Sequence, residues 1–531
     1  MADERIIQQV IRRHETLQSV RKSWESHWNE VSEYVIPRHN IYTKTRGGKR
    51  NTTIYDSTAP RACARLAASL HSMLTNPSQD WIALRVMPET LMDAIEVRRW
   101  LYKTEEAILT EINNSNFHAK AQEFYLDLVA FGTGILFADE SPTGSPSNVT
   151  FYCLPINQCG IAENSYGRID VLHREFNMSA RNIVQKFGEK ACNKEILEIA
   201  EKRPDSEVTI IHAIFPKEDY NKYNKFDKPY VSLWIAKKWN HVLREGGYYE
   251  FPAFVTRWAT ASGEIWGRGP GMEALADIKT ANKMTKDILD ATSRIITPPL
   301  DVEYQSYLTP LDITPGRLNQ RAKNANPVQP LYTVDGRAIP VTDNLLEKIK
   351  ASINETFYFD AISLIKADRM TATEVMQRVE ENMRILGPTY SRLVHEYLEP
   401  LTKRVYGILL RKGILPEPPQ ILQRYRGKMK IDYMSPMARA QKTSDVAAIQ
   451  RTINMLAAMA QIQPEVLDNF DFDIAARYTA DATGVPSILI RSHEAVAAIR
   501  DARAQQQQAM QQMQAMKEAA EVGKTLSEIQ M

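Results

Sequence analysis

A helical pattern too long for one compact domain constrains this chain more than any other feature. Thr371-Ala-Thr-Glu374 forms a capping box, in which the Thr side chain takes one orphan backbone N–H and the Glu reaches back to another. Behind it Val375, Val379, Met383, Leu386, Tyr390, Leu393, Tyr397, Leu401, Val405 and Ile408 recur at three-and-four spacing. About forty residues of helix extend roughly 60 Å, more than a single compact domain usually holds. Gly387-Pro388 and Pro400 are expected to kink it, because proline removes a donor and crowds the preceding turn. Such a helix suits a strut within an assembly.

The rest of the chain reads as α+β, mainly helical. Ile7, Val10, Ile11, His14, Leu17, Trp24, Trp28, Val31 and Val35 predict one amphipathic helix over 4–35, ended by Pro37. Arg38 to Arg50 is basic and reads as an exposed loop. Helices are expected at 59–74, 96–114 and 119–131, with a strand at Trp81–Val86. From about 149 to 260 the period changes. Val149–Leu154, Ile169–Phe176, Val208–Phe215 and Tyr230–Ala236 predict short strands, and Gly246-Gly247 between apolar runs predicts a hairpin turn. Ser179–Phe187 and Lys190–Lys202 read as helices between them, and Glu273–Ile296 as a longer one stopped by Thr297-Pro-Pro299. Residues 300–340 are rich in proline. Between Thr314 and Val334 there is no acid, but Arg317, Arg321 and Lys323 are present. A helix at 342–357 precedes a mixed loop with Lys366 and Arg369. After Gly413 come a basic strand-like run (Arg424, Arg426, Lys428, Lys430), helices near 438–461 and 471–483, and a Gln-, Ala- and Met-rich tail. For that tail, partial disorder and self-association are both open.

A length of 531 residues suggests about three or four domains. The content of 44% hydrophobic and 24% charged residues places the chain among folded proteins. A net charge of +2 excludes a surface that grips nucleic acid throughout, while leaving room for a local basic patch. Four cysteines without a CxxC pair fit a reducing compartment. The acidic start is unlike a signal peptide, and the longest near-apolar run, Leu128–Ala138, is too short to span a bilayer. The expectation is a chain that is neither exported nor membrane-embedded.

No local motif argues for catalysis. Gly523-Lys524-Thr525 would end a phosphate loop, but the first glycine of that motif is replaced by Glu518. Gly267-Arg-Gly-Pro-Gly271 resembles a dinucleotide fingerprint, yet its third glycine comes too early and no βαβ unit follows, so it reads as a tight turn feeding a helix. His395-Glu396 and His493-Glu494 each lack the second His of a zinc protease and read as solvated helix residues. No catalytic residue, cofactor or metal ligand is therefore expected.

Several motifs stand in a specific order. Trp24 and Trp28 lead to Tyr34-Val-Ile-Pro37. Tyr55-Asp-Ser-Thr-Ala-Pro-Arg61, Leu66-Ala-Ala-Ser-Leu70, Asn76-Pro-Ser-Gln-Asp-Trp81, Ser115-Asn-Phe117 and Phe131-Gly-Thr-Gly134 follow. Trp266-Gly-Arg-Gly269, Met370-Thr-Ala-Thr-Glu374 and Glu399-Pro400 complete the series. Over roughly residues 5 to 480 the chain resembles the portal, or head-to-tail connector, proteins of short-tailed (podovirus-type) bacteriophages. The resemblance implies a virion protein made in the host cytoplasm: a homododecameric ring at one capsid vertex, a conduit for double-stranded DNA in genome packaging and ejection. It implies as partners the terminase large subunit, tail, adaptor and nozzle proteins, the major capsid and scaffolding proteins, and internal core proteins.

The family's portal fold has wing, stem, clip and crown/barrel parts around a central channel, and the segments map onto it. Residues 1–272 would be the wing, 273–297 and 341–357 the stem helices, 298–340 the clip, and 358–371 the channel loop. Residues 372–415 would be the long kinked helix and 416–531 the crown/barrel and tail. By the same resemblance Lys366 and Arg369 would face DNA in the channel, with a solvated loop lysine as the other reading of Lys366, and Arg317, Arg321 and Lys323 would face terminase or tail from the clip, though as residues they could equally face DNA or only water. A conduit needs sparse positive charge, since every phosphate contact adds affinity and so friction. The alternative class is a packaging-motor enzyme, an ATPase or nuclease, which would need a Walker motif or a carboxylate cluster.

Overall fold

The computed structural model describes residues 4–513 except 38–53, 220–226, 332–337, 359–386 and scattered short gaps; between 423 and 445 it describes backbone alone. The N-terminal pattern forms α1 (Glu4–Tyr34), about 46 Å long at 1.5 Å per residue. Its apolar stripe is shared between two cores. Val10 and Leu17 pack on a five-stranded sheet, whereas Trp28 and Val31 enter the main core. One helix thus ties the two cores together.

The main core is built on α2 (Thr58–Leu74), β1 (Ile82–Met87), α3 (Ile95–Asn114) and α4 (Phe117–Phe131). The second half of α4 is buried all round, from Asp127 to Phe131, as expected of a central helix. The chain then turns directly into β2 (Thr133–Glu140). This strand lies between β3 (Val149–Cys153) and β9 (Ala253–Arg257), antiparallel to both.

The five-stranded sheet is an antiparallel meander of β4 (Cys159–Glu163), β5 (Ile169–Ser179), β6 (Glu207–Pro216), β7 (Tyr230–Ala236) and β8 (His241–Tyr248). α1 covers one face. On the other lie α5 (Ala180–Phe187), capped by the Ser179 hydroxyl, and α6 (Lys194–Lys202), capped by Asn193.

The hairpin expected at Gly246-Gly247 is corrected. Both glycines lie inside β8, opposite Ser232 and Val231, and the reversal falls at Lys237–Asn240, where Asn240 takes φ +49. A Cβ on Gly247 would stand 2.6 Å from the Tyr230 carbonyl oxygen. The glycine permits close strand approach rather than a turn.

A short α7 (Pro270–Glu273) leads into α8 (Leu275–Ile296). α8 packs beside α9 (Ala338–Thr356), which starts four residues before the expected 342. Between them the chain makes an excursion closed at its base by β10 (Leu300–Asp301) and β11 (Gln329–Pro330).

The long helix is described from residue 387 onward; its capping box and the positions Val375, Val379, Met383 and Leu386 lie outside the described residues. In the described part the stripe is buried: Leu393, Tyr397, Leu401, Val405 and Ile408 are at most 2% exposed. The irregularity falls at Val394–Leu398, one π-helical turn in which Glu399 N–H bonds to the Val394 carbonyl. It immediately precedes Pro400, which lacks the N–H a regular turn needs. Regular helix resumes over Glu399–Arg411. Farther on, β12 (Lys428–Tyr433) pairs antiparallel with β1, so the basic run closes onto the N-terminal half. Helices Pro436–Ala460 and Phe472–Thr483 follow. Among the described residues there is no β-barrel, and no helix is long and apolar enough to cross a membrane.

Candidate functional site

The ordered motifs converge on the place where α8 leaves the main core. Phe131-Gly-Thr-Gly134 ends α4 and Trp266-Gly-Arg-Gly269 opens α7, and the two segments lie backbone to backbone. Gly132 caps α4 with φ +71. Its carbonyl accepts Trp258 N–H at 2.9 Å, and Gly267 N–H donates to Thr133 Oγ1 at 2.8 Å. A Cβ on Gly269 would meet Gly132 Cα at 2.8 Å. These glycines serve close packing of chain on chain, which accounts for the fingerprint-like spacing without a nucleotide.

The aromatic motif residues lock the same junction. Trp266 meets Trp28 edge-on at 4.9 Å, and Arg268 lies over Trp24 at 5.0 Å. Asn282 on α8 accepts Tyr55 and Asp56 N–H at 2.6 and 3.1 Å, tying the Tyr55–Arg61 motif to that helix. Asn116 bonds both the N–H and the carbonyl of Phe151 at 2.8 Å, while Phe117 packs between Trp81 and Phe151.

Buried ion pairs hold the kinked helix to the sheets. Arg257 on β9 bonds to Glu396, with Nη2 to Oε1 at 2.8 Å, and also to Glu163. Glu396 is thus no solvated residue, in contrast to the expectation; His395 beside it is exposed and faces Glu399 at 3.3 Å. Fully buried Arg404 reaches Glu250 at 2.8 Å and lies over Tyr248 at 5.1 Å. Arg411 joins Glu250 to Glu140. Burial alone would raise the pKa of Glu250, but the Arg411 and Arg404 hydrogen bonds outweigh it and hold the carboxyl below its ordinary range.

These pairs escaped the sequence reading because the partners lie far apart along the chain. One signal was present: Arg404 falls three residues after Leu401 and four before Ile408, on the buried stripe itself.

Of the expected site residues, Arg317, Arg321 and Lys323 lie exposed in the excursion between α8 and α9. Arg317 pairs with Asp312 at 3.2 Å, within a turn where Asn319 bonds to the Asp312 backbone on both sides. Arg321 bridges Tyr307 through its backbone. Lys366 and Arg369 lie outside the described residues, as do Gly523–Thr525 and His493-Glu494. Among the described residues no three His, Cys, Asp or Glu side chains gather to hold a metal.

The family model for bacteriophage head to tail connecting proteins matches residues 7–490. The probable portal protein of Bordetella phage BPP-1 is 30% identical over 100% of this chain and 97% of its own length. The portal protein of Salmonella phage epsilon15 is 30% identical over 99% and 96%. That of Escherichia phage T7 is 21% identical over 77% and 75%. The chain belongs to the bacteriophage head-to-tail connecting protein family. A chain of a gene transfer agent virion overlays 80% of it at a TM-score of 0.33 and 9% identity, too distant to add to that relation.

Proposed function

We propose that this chain is a portal subunit: twelve copies form a ring at one capsid vertex, through which double-stranded DNA is packaged and ejected. The family relation along nearly the whole chain carries this reading. In it α8 and α9 are the stem, the 298–340 excursion is the clip, residues 358–371 line the channel, and the C-terminal helices form the crown. The ring docks the terminase large subunit and later tail proteins by its clip, and contacts capsid and scaffolding proteins by its wing. It does no chemistry of its own.

The exposed apolar residues of the excursion support an assembled state. Tyr304 is 89% and Leu318 95% exposed, and Leu300, Val302 and Leu331 stand exposed nearby. Large apolar side chains exposed to this degree suit cover by a partner, and neighbouring copies in a ring supply one. The test is particle mass and image: about 730 kDa with a central hole, from a 60.5 kDa chain closed by heterologous contacts. A monodisperse monomer under all assembly conditions would sink the reading.

Lys366 and Arg369 belong to this proposal as channel residues. Replacing both by Ala should leave rings intact but lower genome packaging or retention. Wild-type packaging at every salt concentration would remove the loop's charge from DNA handling.

A further inference from the structure

A row of side chains crosses the five-stranded sheet in register: Arg174, His212, Trp234 and Arg244 are successive partners on β5, β6, β7 and β8. Directly opposed residues share a face, so all four stand on the side that carries α5. His212 stacks on Trp234, with centroids 3.8 Å apart and planes at 15°. Lys186 of α5 sits over the same indole at 4.1 Å. Arg174 lies over Phe176 at 4.2 Å, and its Nε donates to Gln158 Oε1 at 3.0 Å. The aromatic rings therefore serve as platforms for cations, and Trp234, covered by His212 and Lys186, offers no face for a base to stack on.

The charges here are unlike those elsewhere in the fold. Arg257, Arg404 and Arg411 are each matched by glutamates. Among the described residues, none of Arg174, Lys186 and Arg244 stands within ion-pairing distance of a carboxylate. The acid whose charge reaches Lys186 and Arg244 is Asp139 at the end of β2, itself largely buried; burial lowers the pKa of Arg174. Burial, and after the opposing pull of Asp139 the charges of Arg244 and Arg174, hold the Lys186 ammonium below its ordinary pKa. Three cations kept together against mutual repulsion make a site for anions. Arg174 and Arg244 are three strand spacings apart, about 14 Å, which suits a run of phosphates rather than a single ion. Guanidinium groups bind phosphate by paired N–H donors.

We propose that this row is a phosphate-binding site on the outer body of the protein, and that its ligand is the backbone of nucleic acid lying outside the channel. The choice of nucleic acid rests on the portal reading, which brings DNA to the protein; the phosphate chemistry does not.

The test uses full-length protein and closed circular duplex DNA, which cannot thread a ring and so reports surface binding alone. Wild-type protein should bind it with a strong salt dependence. Arg174→Gln/Lys186→Gln/Arg244→Gln should bind at least about tenfold more weakly at low salt, with a slope of log K against log salt smaller by about 2 to 3. Lys186→Gln alone, which keeps most of the length of the side chain over Trp234 and removes its charge, should reduce the slope by about 1. Circular DNA bound equally by wild type and the single and triple variants overturns the site. Inorganic pyrophosphate held by wild type and lost in the variants, with no binding of circular DNA, overturns nucleic acid as the ligand. An acidic peptide that binds the row where pyrophosphate and DNA do not overturns the phosphate assignment. Particle mass, measured on the same samples, shows separately whether the portal reading fails.

Discussion

Gly407 lacks a side chain where Glu250 needs the room: a Cβ there would stand 2.7 Å from Glu250 Cδ. A glycine inside a helix costs about 1 kcal/mol relative to alanine. Here it lets the carboxylate lie against the helix and meet Arg404 and Arg411. Arg404 is fully buried, Glu140 stands farther from it at 3.6 Å, and weakening the pairing of a buried charge costs more than a helical glycine. Gly407→Ala should therefore destabilise the protein by about 2–4 kcal/mol, despite alanine's better helix propensity, as read by chemical unfolding at neutral pH. The pH dependence has a defined sign. The folded pKa of Glu250 is depressed, so its contribution is present above the ordinary carboxylate pKa and is lost as pH falls through the folded value. In Gly407→Ala that acid-side loss should shrink.

Glu105 has the opposite sign. Burial pushes its pKa up to about 7, the Leu84 N–H bond at 2.7 Å opposes the rise, and Asp80 adds to it. Folding therefore favours the protonated form. The stability this group contributes is complete below the ordinary value of 4.5 and is lost as pH rises through about 7. Glu105→Gln keeps an acceptor for Leu84 N–H and removes the titration. The variant should be more stable than wild type at pH 8 by about 1–3 kcal/mol, with little difference at pH 5. Unfolding curves at the two pH values check it.

How much of this was legible in the sequence follows from physics at particular residues. α1 and the buried stripe from Leu393 to Ile408 were readable, because a long amphipathic helix repeats its signal over many turns. β2 was not. Its first six residues are buried and continue directly from the apolar end of α4, so neither alternation nor a polar break marks the change of period. Gly247 misled because a glycine that admits a neighbouring backbone looks in sequence like one that makes a turn. The motif segments were visible one by one. That Gly132 and Gly269 touch, or that Arg257 meets Glu396, depends on tertiary contacts over more than a hundred residues, which no local pattern encodes.

Asn282 offers a test of the junction between the core and α8. Its Oδ1 takes two backbone N–H groups, from Tyr55 and Asp56, and the residue is 9% exposed. Asn282→Ala leaves both donors without that acceptor, a loss of about 1–3 kcal/mol. Hydrogen exchange at Tyr55 and Asp56 should quicken, while exchange in β7, whose buried residues Val231, Leu233 and Ile235 pack in a cluster apart from the main core, stays as in wild type. Equal quickening in both would mean that the junction is not a local contact but part of one cooperative unit.

Leu393 tests the strut itself. It is 2% exposed and packs among Leu70, Leu74, Trp258 and Tyr390, one helical turn before Tyr397. Leu393→Asp removes that packing and places a carboxylate where no water reaches it. The apolar loss alone is about 2–5 kcal/mol, and the buried charge adds to it unless it takes up a proton. Insoluble protein, or soluble chains that do not assemble, is the expected result. Leu393→Met, which keeps the volume, should cost less than about 1.5 kcal/mol and assemble normally. The comparison separates the two causes of failure: if Met behaves like Asp, shape at this position governs folding. If Asp assembles like wild type, the stripe from Leu393 to Ile408 is not what holds the helix to the main core, and the Arg257–Glu396 and Arg404–Glu250 pairs would have to do so alone.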